Sequence, residues 1–155
     1  MKIRKGRKSD LPIILSLIKE LANYEKSLDK VLITIDDLEK DGIGDHPLYW
    51  IIVAEIKGEI VGMVFYYIRY STWSGKTFYL EDFFVKKDFR RKGVGSLLFE
   101  ECIRMTKKIN ANSMVWQVLN WNKPAISFYK KYNAELKNDW INGRLYKEQI
   151  NILTI

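Results

Sequence analysis

Apolar and polar positions alternate with two different periods along this chain, and the changes of period mark its elements. Ile3-Arg4-Lys5 reads as a short strand. Ser9-Asp10-Leu11-Pro12 then supplies a cap and an early proline ahead of Ile14, Leu17, Ile18 and Leu21 at helical spacing. Thr34 to Lys40 predicts a second, short helix opened by Thr34, and residues 41–47 predict a loop. From Tyr49 the period becomes two: residues 50–55, a turn at Lys57-Gly58 and residues 60–67 predict a β-hairpin, followed by a strand over Phe78 to Val85. The helical period returns with Val94, Leu97, Leu98, Cys102 and Met105. A strand over Ser113 to Leu119, a helix beginning near Pro124 and a last strand over Leu145 to Leu153 complete the reading. The alternation predicts a mixed α/β class, one domain spanning residues 1–155, with a mostly antiparallel central sheet flanked by helices.

Composition narrows the class. The 155 residues are 47% hydrophobic, enough for one core, and no run of about 18 apolar residues offers a membrane span. The N-terminus passes straight into polar residues, so a cytoplasmic protein without membrane association is expected. The one cysteine, Cys102, lies on an apolar helix face and reads as a small buried hydrophobe. The one histidine, His46, precedes Pro47 in a loop and suits a turn-stabilising role. No metal site is expected. A net charge of +7 invites a nucleic-acid partner. The lysines, however, are spread along the chain, and the densest basic run, Lys86 to Lys92, enters a glycine turn, which suits a small phosphorylated cofactor better than a long polyanion.

That turn is Arg90-Arg91-Lys92-Gly93-Val94-Gly95-Ser96, between a strand and a helix. Glycines there allow close backbone approach, and the free amides of a helix start attract phosphate. A Gly-x-Gly pair alone fits a plain tight turn equally well, and neither the dinucleotide nor the P-loop pattern is met. The neighbourhood decides. Arg-x-x-Gly-x-Gly directly after Phe83-Phe84-Val85 resembles the acetyl-CoA pyrophosphate loop of the GNAT superfamily of N-acetyltransferases, and Asn122-Lys123-Pro124-Ala125-Ile126-Ser127-Phe128-Tyr129 resembles its second cofactor motif. The stretches 17–25, 41–49, 73–76, 79–85 and 121–124 resemble the spermidine/spermine (diamine) N-acetyltransferase family, whose relatives include thialysine acetyltransferases.

The resemblance implies the GNAT fold, a homodimer, acetyl-CoA as cosubstrate, and transfer to a primary amine of a small cationic metabolite by direct attack. A diamine or polyamine is the first expectation, thialysine or another lysine-like amine the alternative, and a basic nucleic-acid-binding module a remote third. It assigns Phe83, Phe84 and Val85 to the pantetheine arm, with the Val85 N–H as oxyanion donor. It assigns Arg90, Arg91, Lys92, Gly93, Val94, Gly95 and Ser96 to the pyrophosphate, and Asn122, Lys123, Pro124, Ala125 and Phe128 to the flank of the cofactor.

A protonated aliphatic amine, of pKa about 10, needs a base. Glu81 is the candidate, because period two places it with Tyr79, Phe83 and Val85 on one face; an edge carboxylate paired with a lysine is the plain alternative. Tyr129 matches the general acid for the leaving thiolate, its alternative being a tyrosine packed beneath the cofactor. Tyr24, Glu25, Glu81, Asp82 and Trp73 are the expected amine-site residues. Where the family carries an acidic residue and Gly-Trp, this chain has Ile141-Asn142-Gly143, a departure that bears on polyamine preference and not on acetyl transfer.

Overall fold

The hairpin expected from the alternating pattern turns at Lys57 and Gly58, both left-handed (φ 50° and 83°), the backbone that lets two strands meet with their natural twist. It joins β2 (Trp50–Ile56) to β3 (Glu59–Ser71). A second hairpin, with left-handed Gly75, joins β3 to β4 (Gly75–Val85). With β1 (Lys2–Lys5) and β5 (Ser113–Trp116) the order is β1-β2-β3-β4-β5, antiparallel throughout except β4 beside β5. The computed structural model describes residues 1–153, in two compact units, Met1–Gln117 and a second that starts at Val118.

In the first unit, helices cover both sheet faces. α1 (Leu11–Tyr24) and α2 (Ile35–Gly42) bury Leu11, Ile14, Leu17, Ile18 and Leu38 against Tyr49, Ile51, Val53, Met63 and Phe84. Thr34 caps α2, accepting from the Asp37 N–H at 3.2 Å, and the Tyr49 hydroxyl donates to the Leu38 carbonyl. α3 (Val94–Lys108) lies on the opposite face, where Gly62 admits it: a Cβ there would meet Phe84 O at 3.0 Å and Leu98 Cδ1 at 3.1 Å. Cys102 is fully buried under α3, its thiol donating to the Leu98 carbonyl, and burial pushes it up to about 12, so it is the small hydrophobe expected. Among the described residues no helix is long and apolar enough to cross a membrane.

The second unit contains α4 (Lys123–Lys130) and α5 (Lys147–Ile152). The strand expected over Leu145 to Leu153 is not formed. Ile150 and Ile152 mimic strand alternation, but Gln149 accepts the Tyr146 N–H at 2.8 Å and starts a helical turn. An alternating pattern without a strand partner has no ladder to favour extension. β5 likewise stops at Trp116, short of the expected Leu119.

One polar knot ties β1, β2 and the start of α1. Asp10 takes Arg4 Nη1 at 2.6 Å, Nη2 at 3.1 Å and the Arg7 N–H at 2.8 Å, while Arg4 Nε reaches Glu55 at 2.7 Å. Arg4 holds the Asp10 carboxyl below the usual carboxylate range. Asp10→Asn should cost about 1–3 kcal/mol at pH 7, the range for a charged hydrogen bond with one partner removed. Because the folded pKa is depressed, that advantage is present above the ordinary Asp value of about 3.9 and fades as pH falls below it. Urea denaturation of both proteins at pH 7 and pH 3 should show a gap that closes in acid.

Candidate active site

β4 changes partners along its length. It pairs with β5 only from Thr77 to Leu80, whereas its other edge stays on β3 through Val85. At the parting point the β3 register jumps: Tyr66 faces Leu80 and Phe65 faces Asp82, so Glu81 is an extra, bulged residue. The bulge reverses the alternation beyond it. Phe83 turns to α3, 6.1 Å from the Phe99 ring, and Phe84 turns to the α1 core. Tyr79 and Phe83 therefore lie on opposite faces, which corrects the expectation that Tyr79, Glu81, Phe83 and Val85 share one. Since the Lys86 N–H binds Val61 O at 2.9 Å, alternation directs the Phe83 and Val85 amides to the side β5 has vacated. The Val85 carbonyl on that side accepts Arg90 Nε at 2.8 Å.

Three carboxylates gather on the α1 face of this bulge. Glu25 sits at the end of α1; burial raises its pKa. Asp82 is pushed up to about 7 by burial first and then by the charges of Glu81 and Glu25. Glu81 is exposed at the bulge. Beside it Tyr67 and Tyr79 stack with centroids 4.9 Å apart. Their phenols are pushed up by burial first and by Glu81 next, and for Tyr67 also by a hydrogen bond to Glu81. Tyr24 joins from α1: the Arg90 guanidinium lies 5.2 Å over its ring and 5.3 Å over that of Phe84. Trp73, expected as a wall, stands 89% exposed at the tip of the β3–β4 hairpin. Tyr67 and Arg69 were missed in the sequence, where Tyr66-Tyr67-Ile68-Arg69 reads only as a strand end.

After Val85 the chain makes a 3-10 turn, Lys87–Phe89, and passes through left-handed Arg91 (φ 60°) and Gly93 (φ 81°) into α3. The first helical bond is Leu97 N–H to Gly93 O at 3.1 Å, no side chain caps the helix, and its first turn has no acidic residue. The amides of Val94, Gly95 and Ser96 are thus left for an anion, with Arg91 and Lys92 exposed beside them. Arg90, expected at the pyrophosphate, turns instead to Val85 and Tyr24. In the second unit Asn122 caps α4, accepting the Ala125 N–H at 3.3 Å. Lys123 and Pro124 are exposed in its first turn, and Tyr129 is buried on α4 next to Phe128.

A strand edge that β5 leaves at Leu80, an uncapped helix start and a group of carboxylates are the features of an acyl-CoA-dependent amine transferase. Residues 15–134 match the acetyltransferase (GNAT) family. The chain is 40% identical over 141 residues to the thialysine N-epsilon-acetyltransferase of Bos taurus, covering 86% of this chain and 83% of that one. It is 36% identical over 158 residues to the spermidine/spermine N(1)-acetyltransferase-like protein 1 of Homo sapiens, covering 96% of this chain and 23% of that longer one. The fold matches an aminoglycoside N-acetyltransferase solved in complex with CoA, with TM-score 0.71, 21% identity and coverage of 94% and 99%. The chain belongs to the GNAT family of acetyl-CoA-dependent N-acetyltransferases, in its diamine/thialysine acetyltransferase branch.

The raised Asp82 pKa has a consequence for stability. Unfolded Asp titrates at about 3.9 and folded Asp82 at about 7, so the folded state is progressively penalised as pH rises between these values and the penalty is complete above them. Asp82→Asn removes it. The variant should melt within about a degree of the parent at pH 4 and a few degrees higher at pH 8 by calorimetry, an effect on the order of 1–2 kcal/mol.

Proposed function

We propose that this protein, acting as one cytoplasmic domain and pairing as a homodimer, transfers the acetyl group to the side-chain amine of a lysine-like amino acid such as thialysine. The observation that carries the amine site is the group of Glu25, Glu81 and Asp82 where β4 leaves β5. Several relatives 33–40% identical are named thialysine acetyltransferases. The Ile141-Asn142-Gly143 departure lacks the carboxylate a long polycation would use. Diamines and polyamines such as spermidine are the second reading, favoured by the same three carboxylates and by the human relative.

When bound, acetyl-CoA supplies an activated acyl thioester. The Phe83 and Val85 amides, with Phe84 between them, pair with the pantetheine arm, and the Val85 N–H donates to the carbonyl oxygen as it gains charge. The amides from Gly93 to Ser96, with Arg91 and Lys92, hold the pyrophosphate. Arg90 positions this edge through the Val85 carbonyl. Asn122, Lys123, Pro124, Ala125 and Phe128 flank the cofactor, as the resemblance implies. Glu25 and Asp82 draw in the ammonium, with Tyr24 and Trp73 bordering its approach. Glu81, exposed and beside Tyr67, accepts the amine proton directly or through one water. Tyr129 holds the proton for the departing sulfur.

A panel of amines assayed with acetyl-CoA for thiol release tests the substrate. Thialysine should show a kcat/KM at least about tenfold above spermidine; the opposite order would select the second reading. At Tyr129, removal of the hydroxyl alone separates catalysis from binding. Tyr129→Phe should lower kcat by about 10²–10⁴-fold and leave the KM for acetyl-CoA within about twofold. A kcat equal to the parent's would exclude Tyr129 as the acid.

A further inference from the structure

Beyond Tyr67, β3 carries an arginine on the carboxylate side of the sheet. Period two places Phe65, Tyr67 and Arg69 on one face, and Arg69 pairs with Thr77 of β4 in register. The guanidinium is drawn back over the Tyr79 ring, 5.2 Å from the centroid, and Tyr79 is stacked on Tyr67. Arg69 is exposed and makes no ion pair among the described residues. Its charge is nevertheless felt in the site, because it pulls the Tyr67 and Tyr79 phenols down against burial and Glu81.

One strip of the sheet is therefore dipolar: carboxylates at the bulge, two stacked tyrosines as a floor, and a guanidinium at the far end. Arg69 stands opposite Thr77, four residues before Glu81 on β4, and its guanidinium reaches back over Tyr79, two residues before Glu81. The guanidinium and the Glu81 carboxylate therefore lie on one strip, at the two ends of the stacked tyrosines. A guanidinium offers a fork of N–H donors that matches a carboxylate, whereas a second ammonium arriving there meets a like charge. We propose that Arg69 recognises the α-carboxylate of the acceptor amino acid and so selects lysine-like amino acids over diamines and polyamines. This rests on the reading that the acceptor amine enters at Glu81.

The test compares thialysine with its decarboxylated analogue, bis(2-aminoethyl) sulfide, which has the same chain and reacting amine. Thiol release from acetyl-CoA is followed for the parent, Arg69→Gln and Arg69→Lys. In Arg69→Gln the ratio of kcat/KM for thialysine to that for the diamine should fall at least about tenfold, carried by the KM for thialysine and not by kcat. Arg69→Lys, which keeps the charge and loses the fork, should recover part of the ratio, and a loss as complete as in Arg69→Gln would overturn the charge-based recognition. An unchanged ratio in Arg69→Gln would overturn the role of Arg69 while leaving amine acetylation standing. Turnover of neither amine by the parent would instead overturn the substrate reading on which it rests.

Discussion

The parting of β4 from β5 at Glu81 is the constraint from which the rest of the site follows. A sheet interior satisfies its amides on both sides; here β4 keeps β3 through Val85 and gives up its ladder with β5 after Leu80. Such an edge is costly unless something covers or binds it. Gly62 stabilises the split from the β3 side by letting Leu98 of α3 sit close beneath β4, and Arg90 closes the far end by taking the Val85 carbonyl. Beyond this edge the turn Lys87–Phe89 carries the chain to the uncapped start of α3.

The same bulge sets the electrostatics. By adding a residue it turns Glu81 outward and lays Asp82 against the α1 face near Glu25, concentrating negative charge where burial already disfavours it. Asp82 responds by titrating near neutrality, so the charge of the group varies around pH 7, well below the pH of about 10 at which a free aliphatic amine loses its proton. Tyr67 and Tyr79 stack beside this group. On the proposed reading, Arg69 at the end of that aromatic floor makes the strip selective and not merely attractive to cations.

Much of this fold was legible in the sequence because its signals are local. Lys57-Gly58 permits few turns but a hairpin, Thr34 with Asp37 makes a reciprocal cap, and Arg90 to Ser96 marks a strand passing into a helix. The bulge was not legible. Under period two each face of β4 over Phe78 to Val85 carries three apolar or aromatic residues and one carboxylate, so the hydrophobic pattern does not reveal a one-residue slip, and Glu81 is grouped with Phe83 wrongly. The fate of Arg90 was hidden for a related reason: its place in the motif is set by sequence, but its direction is set in part by Tyr24, distant along the chain. The C-terminal strand failed because alternation reports a face, not the presence of a neighbour to pair with.

The basic run from Lys86 to Lys92 shows why net charge alone misleads. Lys86 is committed to Glu59 at 2.8 Å, Arg90 to the Val85 carbonyl and two rings, and Lys92 lies over Phe89 at 5.7 Å. Cations fixed one by one in different directions do not form the continuous stripe that tracks a phosphate backbone. What the run does supply is local: Arg91 and Lys92 flank a helix start whose amides have direction as well as charge. A diphosphate with defined geometry profits from both, whereas a flexible polyanion uses only the charge. The excess of lysine along the chain therefore says less about the ligand than two left-handed residues, Arg91 and Gly93, that aim the backbone.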